Sequence, residues 1–194
     1  MVATHSSMLP IRTKAPYFQL EDVSSGKIHE LKKTVGSKGY LIAFICNHCP
    51  FVIHLLEHLP AQFNKIIKED IQVFAISSND TDKYPQDAPD KMKELAQKYD
   101  FKFPYLFDES QKVATSFSAA CTPDFFLFND KLELFYRGRY DETRPGAEGC
   151  VSGKDLLNAV RLVQSGKSPP YTQMPSIGCN IKWKPGQEPS YFKK

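Results

Sequence analysis

Tyr40-Leu-Ile-Ala-Phe-Ile45 is an unbroken apolar run, and Cys46-Asn-His-Cys-Pro50 follows it without a gap. A continuous run of that kind suits a strand covered on both faces, the usual condition in a parallel sheet. Beyond it, Val52, Leu55, Leu56, Leu59, Phe63, Ile66 and Ile67 recur at helical spacing and predict a helix over 50–68. Pro50 fits the first turn of that helix, where its missing N–H costs nothing. Pro60 is expected to kink it. Ile71-Gln-Val-Phe-Ala-Ile76 reads as a second buried strand. Strand, helix and strand in succession predict a parallel βαβ crossover with the cysteine pair at its first turn.

The rest of the chain extends an α/β pattern with a mixed central sheet flanked by helices. Residues 17–20 and 28–31 flank Ser24-Ser-Gly26 and predict an N-terminal β-hairpin. Helices are expected over 89–99, over 110–117 with Ser110 as N-cap, and over 152–164 with Ser152 as N-cap. Residues 104–107 predict a short strand, and 124–128 with 132–136 an antiparallel hairpin. Residues 1–14 read as a loose leader. Residues 167–194, rich in Pro, Gly and Lys, read as an ordered C-terminal tail with no element of its own. The whole is expected to be one domain, residues 1–194, with its core over 14–166.

Composition removes several function classes. Apolar residues make up 41% and aromatics 12% of the 194 residues, too many for a disordered chain. The net charge is +3 with no long basic run, which argues against a nucleic-acid partner. No apolar stretch approaches the roughly 20 residues that span a bilayer, so no membrane partner is expected. Met1 to Pro16 lacks a hydrophobic segment of the signal-peptide kind, and a cytoplasmic location is the expectation. Five cysteines (Cys46, Cys49, Cys121, Cys150 and Cys179) are odd in number and too few for a disulfide-stapled scaffold.

Cys46 and Cys49, three apart at a strand-to-helix turn, are placed for thiol–disulfide chemistry. A helix N-terminus stabilises a thiolate, and the spacing lets the pair close a disulfide. Cys46 is the expected nucleophile and Cys49 the resolving thiol. A protonated His48 would favour the Cys46 thiolate, Asn47 could add a hydrogen bond to the same sulfur, and Pro50 starts the helix. Thr122-Pro123, before the Phe-rich strand, is a place for a cis peptide whose backbone faces a ligand. Cys121, adjacent to it, is the expected third redox partner, and Cys150 and Cys179 read as buried or partly buried thiols.

Together these segments resemble a thioredoxin-like protein of the redoxin (AhpC/TSA) group. They are Ala15-Pro-Tyr-Phe-Gln-Leu20, Gly26-Lys27, residues 41–50, Pro104-Tyr-Leu-Phe-Asp108 and Thr122-Pro123. Within that group the chain is similar to a cytosolic "thioredoxin family" branch. Four motifs carry that likeness: Cys-Asn-His-Cys-Pro at 46–50, Cys-Thr-Pro-Asp-Phe-Phe-Leu-Phe at 121–128, Tyr-Arg-Gly-Arg at 136–139, and Pro-Ser-Ile-Gly-Cys-Asn-Ile-Lys-Trp-Lys at 175–184. The resemblance implies a thioredoxin fold and a thiol–disulfide oxidoreductase whose partners are protein or small-molecule disulfides, with peroxides as the alternative substrate. It implies no cofactor and no metal.

Two departures from related patterns bear on the chemistry. Thioredoxin proper has a buried Asp six residues before its first cysteine, where this chain has Tyr40. Peroxiredoxins carry Pro-x-x-x-Thr-x-x-Cys-Pro; aligned on Cys-Pro, Cys49 takes the peroxide-reacting position and Cys46 replaces the Thr. The imidazole of His48 and the absence of that Asp together lead to the expectation of a redox potential above thioredoxin's roughly −270 mV.

Three other constellations compete. His54-Leu-Leu-Glu57-His58 matches an inverted zinc-protease pattern, against the reading of solvated histidines on an outer helix face. Cys46, His48 and Cys49 with His54 or His58 could ligate zinc or Cu(I), making a metal-binding protein the non-enzyme alternative. Arg137, Arg139, Asp141 and Arg144 form either an anion or partner site or a solvated salt-bridge network.

Overall fold

The computed structural model describes residues 3–192; Met1 and Val2 of the expected leader and Lys193 and Lys194 of the expected tail lie outside the described residues. Ten strands and five α-helices follow in chain order. The first four strands are β1 (Ala3–His5), β2 (Gln19–Glu21), β3 (Ile28–Glu30) and β4 (Gly39–Phe44). Next come α1 (Pro50–Ile53), α2 (Leu59–Ile67), β5 (Ile71–Ser77), α3 (Pro89–Lys98), β6 (Tyr105–Phe107) and α4 (Lys112–Ser116). The last elements are β7 (Cys121–Thr122), β8 (Asp124–Asn129), β9 (Leu134–Gly138), α5 (Lys154–Gln164) and β10 (Ile177–Asn180).

The central sheet has the order β6-β5-β4-β8-β9. β4 pairs parallel with β5 and antiparallel with β8, and β5 pairs parallel with β6. β4 is therefore central, and all six of its residues are buried. Alternation along the strand sends its side chains into two cores. Leu41 and Ala43 pack with Phe63, Val73, Met92 and Val160 under the helices, in the cluster that also holds Cys46, Cys49 and Cys179. Tyr40, Ile42 and Phe44 enter a second cluster with Phe74, Phe117, Phe126 and Phe128, where the rings of Phe44, Phe117, Phe126 and Phe128 meet edge to face at 5.6–5.9 Å. Tyr40 thus belongs to the core without the redox cysteines. Its hydroxyl accepts the Thr34 N–H at 2.6 Å.

The expected helix over 50–68 is two helices. The chain turns through 54–58, and Pro60 falls in the first turn of α2 instead of its interior. An interior Pro60 would clash with the Leu56 carbonyl and leave it without a donor. The N-caps at Ser110 and Ser152 also differ from expectation. α4 starts at Lys112 after a left-handed Gln111, and α5 at Lys154 after a left-handed Gly153. Buried carboxylates supply the acceptors there: Asp108 takes the Ala114 N–H at 2.9 Å, and Asp141 takes those of Ser152 and Gly153 at 2.8 and 2.7 Å. Charge-assisted bonds of that kind outcompete a serine hydroxyl.

Residues 3–5 of the leader and 177–180 of the tail form strands, where a loose leader and a tail without elements were expected. β10 pairs antiparallel with β1 on one side and with β7 on the other, in the order β1-β10-β7. The leader and the tail thus form one small sheet, and its β7 edge leads directly into Pro123. β2 and β3 form the expected hairpin. Asp22 docks it on β6 by accepting the Tyr105 N–H at 3.0 Å.

Gly178 shows how closely β10 approaches β7. A Cβ there would stand 2.0 Å from the Thr122 carbonyl oxygen and 2.6 Å from its carbon, both backbone atoms. Gly178→Ala is expected to destabilise the fold by about 1–3 kcal/mol through overpacking. Urea unfolding against wild type measures this, and an unchanged midpoint would show that β10 can shift without cost.

Candidate functional site

β4 ends at Phe44, and the next residues carry Cys46 through a turn to Cys49, which occupies the N-cap of α1. The Cys49 carbonyl accepts the N–H groups of Val52 and Ile53, both at 2.9 Å. Both sulfurs are fully buried. β7 crosses above them. Thr122 Oγ1 lies 3.3 Å from Cys46 Sγ, and Cys49 Sγ lies 3.1 Å from the Thr122 carbonyl oxygen. The Thr122–Pro123 peptide is cis. Cys46, Cys49, Thr122 and Pro123 therefore converge from two separate parts of the chain.

A third sulfur joins them. Cys179 sits opposite Thr122 in the β10–β7 register, and its thiol donates a hydrogen bond to Cys49, as does the Cys46 thiol. Those two donors hold the Cys49 thiol pKa well below its ordinary range, against the opposing effect of burial. Cys46 is pushed up by the bond it donates, by burial and by the Asp87 carboxylate, which together outweigh Thr122. The Thr122 carbonyl accepts the proton of a neutral Cys49 thiol at 3.1 Å, while the Thr122 side chain favours the thiolate. Within the coupled pair, these directions favour a thiolate on Cys49 over one on Cys46.

Asp87 organises the dipeptide between the cysteines. It ends a short 3-10 turn, Pro85–Asp87, and is completely buried. Its carboxylate accepts the Asn47 N–H at 2.8 Å, the His48 N–H at 3.3 Å and the Asn79 amide at 2.8 Å, and lies 2.6 Å from His48 Nδ1. The His48 ring stacks on Tyr84 with centroids 5.4 Å apart. His48 therefore spends its Nδ1 on a carboxylate. The Asn47 side chain donates to the Gln86 carbonyl at 3.0 Å and accepts from the Tyr105 hydroxyl at 3.2 Å. The expected Asn47 bond to the Cys46 sulfur gives way to these.

The other expected residues separate. Cys121 is buried and directs its thiol to the Pro123 carbonyl at 3.6 Å, so Cys179 holds the contact with Cys49 that was expected of Cys121. Cys150 is exposed in the loop before α5. His54 and His58 lie at the end of α1 and the start of α2, not on one helical face. They reach Thr143 Oγ1 at 3.0 Å and the Tyr140 hydroxyl at 2.9 Å. The zinc-protease arrangement is thereby excluded, and so is the solvated face. Among the described residues, Cys46, His48 and Asp87 bring donor atoms within 4.8 Å of one another. Asp87 replaces Cys49, His54 and His58 of the expected metal set, and its contact with His48 Nδ1 satisfies both groups without an ion.

The arginine cluster divides among separate partners. Arg137 bonds Gln173 at 2.8 Å and Arg139 bonds Asp155 at 2.6 Å, while Asp141 caps its own loop. Arg139 and Arg144 nevertheless line a cleft of about 190 Å³ together with Phe51, His54, Pro123 and Ile177. That cleft opens beside α1 and the residue following Thr122.

Fold and site together define a thioredoxin-like protein with a cysteine pair at the first turn of its βαβ unit. Residues 11–137 match the AhpC/TSA family, and the chain belongs to that family. It is 41% identical to an uncharacterised conserved protein from Geobacillus kaustophilus, with a TM-score of 0.92 over 96% of this chain and 98% of that one. A hypothetical protein from Sinorhizobium meliloti is equally similar: 41% identity and a TM-score of 0.91, over 94% of this chain and 100% of that one. The thioredoxin domain of a thiol-disulfide oxidoreductase from Bacteroides vulgatus shares the fold at 16% identity, with a TM-score of 0.60 over 79% and 97% of the two chains. None of the curated proteins matches the chain.

A depressed Cys49 pKa keeps that sulfur ionised below the roughly pH 8.5 at which a free thiol gains its proton. Alkylation of Cys49 by iodoacetamide, followed by peptide mass spectrometry, is expected to keep a level rate down to about pH 6. A rate that falls tenfold per unit from pH 8.5 downward would place the charge elsewhere.

Proposed function

We propose that this protein is a thiol–disulfide oxidoreductase in which Cys46 and Cys49 alternate between dithiol and disulfide. The observation that carries the reading is the pair of buried sulfurs gathered under Thr122, with the Cys49 pKa lowered by its thiol neighbours. The thiolate is the attacking species in exchange. Cys49 attacks one sulfur of a substrate disulfide and forms a mixed disulfide, and the other half leaves as a thiolate that takes up a proton. Cys46 then attacks the Cys49 sulfur and expels the second thiolate, which takes up the Cys46 proton. Two protein thiols are oxidised and one substrate disulfide is reduced. Asp87 and His48 fix the turn that holds the cysteines at this separation, and Pro123 forms the cleft wall along which a substrate approaches. A reducing cytoplasm, where such a dithiol is regenerated, is the location this reading favours.

Complete burial of both sulfurs supports small or flexible substrates over a rigid protein surface. It also favours peroxide as a second reading, because Cys49 precedes Pro50 at the peroxide-reacting position. In that chemistry Cys49 takes one oxygen to become a sulfenic acid with release of water, and Cys46 condenses with it, releasing a second water.

Reduced protein mixed with oxidised glutathione is expected to lose two alkylatable thiols and to yield a Cys46–Cys49 disulfide. Cys49→Ser is expected to lower the rate at least about tenfold, as loss of the reactive thiolate requires. A Cys49→Ser protein that reacts as fast as wild type would falsify the assignment. Hydrogen peroxide consumption orders of magnitude faster than by free thiol would move the function to the peroxidase reading.

A further inference from the structure

Cys179 has no part in the two-cysteine cycle, yet the fold carries it to the reacting sulfur. It lies on β10, whose register sets it opposite Thr122. The Thr122 carbonyl oxygen is 3.1 Å from Cys49 Sγ on one side, and β10 packs so tightly on its other side that residue 178 has no room for a Cβ. β10 also contacts α1, the helix that Cys49 caps. Cys179 is 2% exposed, and its thiol is in hydrogen-bond contact with Cys49. A core cysteine packed for volume alone has no need of a sulfur partner that is itself the charged member of a redox pair.

We propose that Cys179 is a second resolving thiol for Cys49, giving the oxidised protein a Cys49–Cys179 disulfide as an alternative to Cys46–Cys49. The proposal rests on the exchange cycle described above and extends it by one isomerisation. Once Cys46–Cys49 has formed, the Cys179 sulfur attacks Cys49 Sγ. The Cys49–Cys179 bond forms and the Cys46–Cys49 bond breaks. The proton of Cys179 goes to the released Cys46 sulfur. No electrons are gained or lost, and no further oxidant is needed. Attack on a mixed disulfide at Cys49 follows the same course, with the substrate thiolate as leaving group. Burial and the bond it donates to Cys49 push the Cys179 thiol up, so it acts when Cys49 is already in a disulfide and no longer accepts that bond. The Cys49–Cys179 form would bind β10 covalently to the start of α1. It would also leave Cys46 reduced in an otherwise oxidised protein.

Full-length Cys46→Ser isolates the step, with Cys46→Ala as a second version should the serine hydroxyl disturb folding. Treated with oxidised glutathione and followed by non-reducing mass spectrometry, Cys46→Ser is expected to pass through a glutathione adduct on Cys49 to an internal Cys49–Cys179 disulfide. Cys46→Ser with Cys179→Ser is expected to retain the adduct at least about tenfold longer, since no resolving thiol remains. Equal adduct lifetimes with and without Cys179 would overturn the proposal. Diamide, which oxidises neighbouring thiols without a substrate disulfide, separates this outcome from failure of the exchange cycle. A Cys49–Cys179 disulfide formed by diamide in a protein that ignores glutathione would support Cys179 and reject the cycle. Absence of that disulfide under diamide would reject Cys179, whatever glutathione does.

Discussion

The backbone and side chain of Thr122 are the junction on which the site depends. Its carbonyl touches the Cys49 sulfur, its hydroxyl touches the Cys46 sulfur, and its strand pairing brings Cys179 alongside. The next residue but one opens β8, which pairs along the whole of β4. β4 in turn delivers Cys46 to the turn. A displacement at Thr122 would therefore be felt by three thiols and two sheets together. Burial makes the arrangement exacting, because each sulfur must find its polar partners inside the protein and not in water.

Asp87 plays the complementary part beneath the turn. A buried carboxylate is costly unless its oxygens are fully engaged. Here two backbone N–H groups, an amide and an imidazole engage it. The same carboxylate adds to the Cys49 bond and burial in raising the Cys46 pKa, so the group that shapes the turn also bears on its thiols. Thioredoxin's buried Asp has no counterpart at Tyr40, which lies across the sheet from the cysteines. The acid present in this site reaches it from a different loop.

The parallel pair β4–β5, the hairpin β8–β9 and the two-core sheet were legible because their apolar runs are long and bounded by turn residues. The AhpC/TSA family was legible from its motifs, and the convergence of Cys46, Cys49 and Thr122-Pro123 followed from topology. The break before Pro60 was not, since a proline at that position can kink one helix or start another. β1 and β10 have three and four residues with no alternation to betray them, and tertiary pairing alone makes them strands. Cys179 was marked by its motif, but nothing in its spacing gives its distance from Cys49. Asp87 lies in a Pro-rich turn that reads as an ordinary loop, and its role appears only when the chain is folded.

The small sheet β1-β10-β7 joins residues 3–5 to residues 177–179, and 179–180 to 121–122. The β1–β10 pairing spans most of the chain, and such contacts repay their loop-closure entropy late, after local structure has formed. The βαβ unit that bears Cys46 and Cys49 closes over a few tens of residues. During synthesis, which proceeds from the N-terminus, the two thiols emerge well before the strand that gives Cys49 its second sulfur neighbour. The contact that most lowers the Cys49 pKa is then among the last to form. A nascent chain carries the cysteine pair without it until the C-terminal strand arrives.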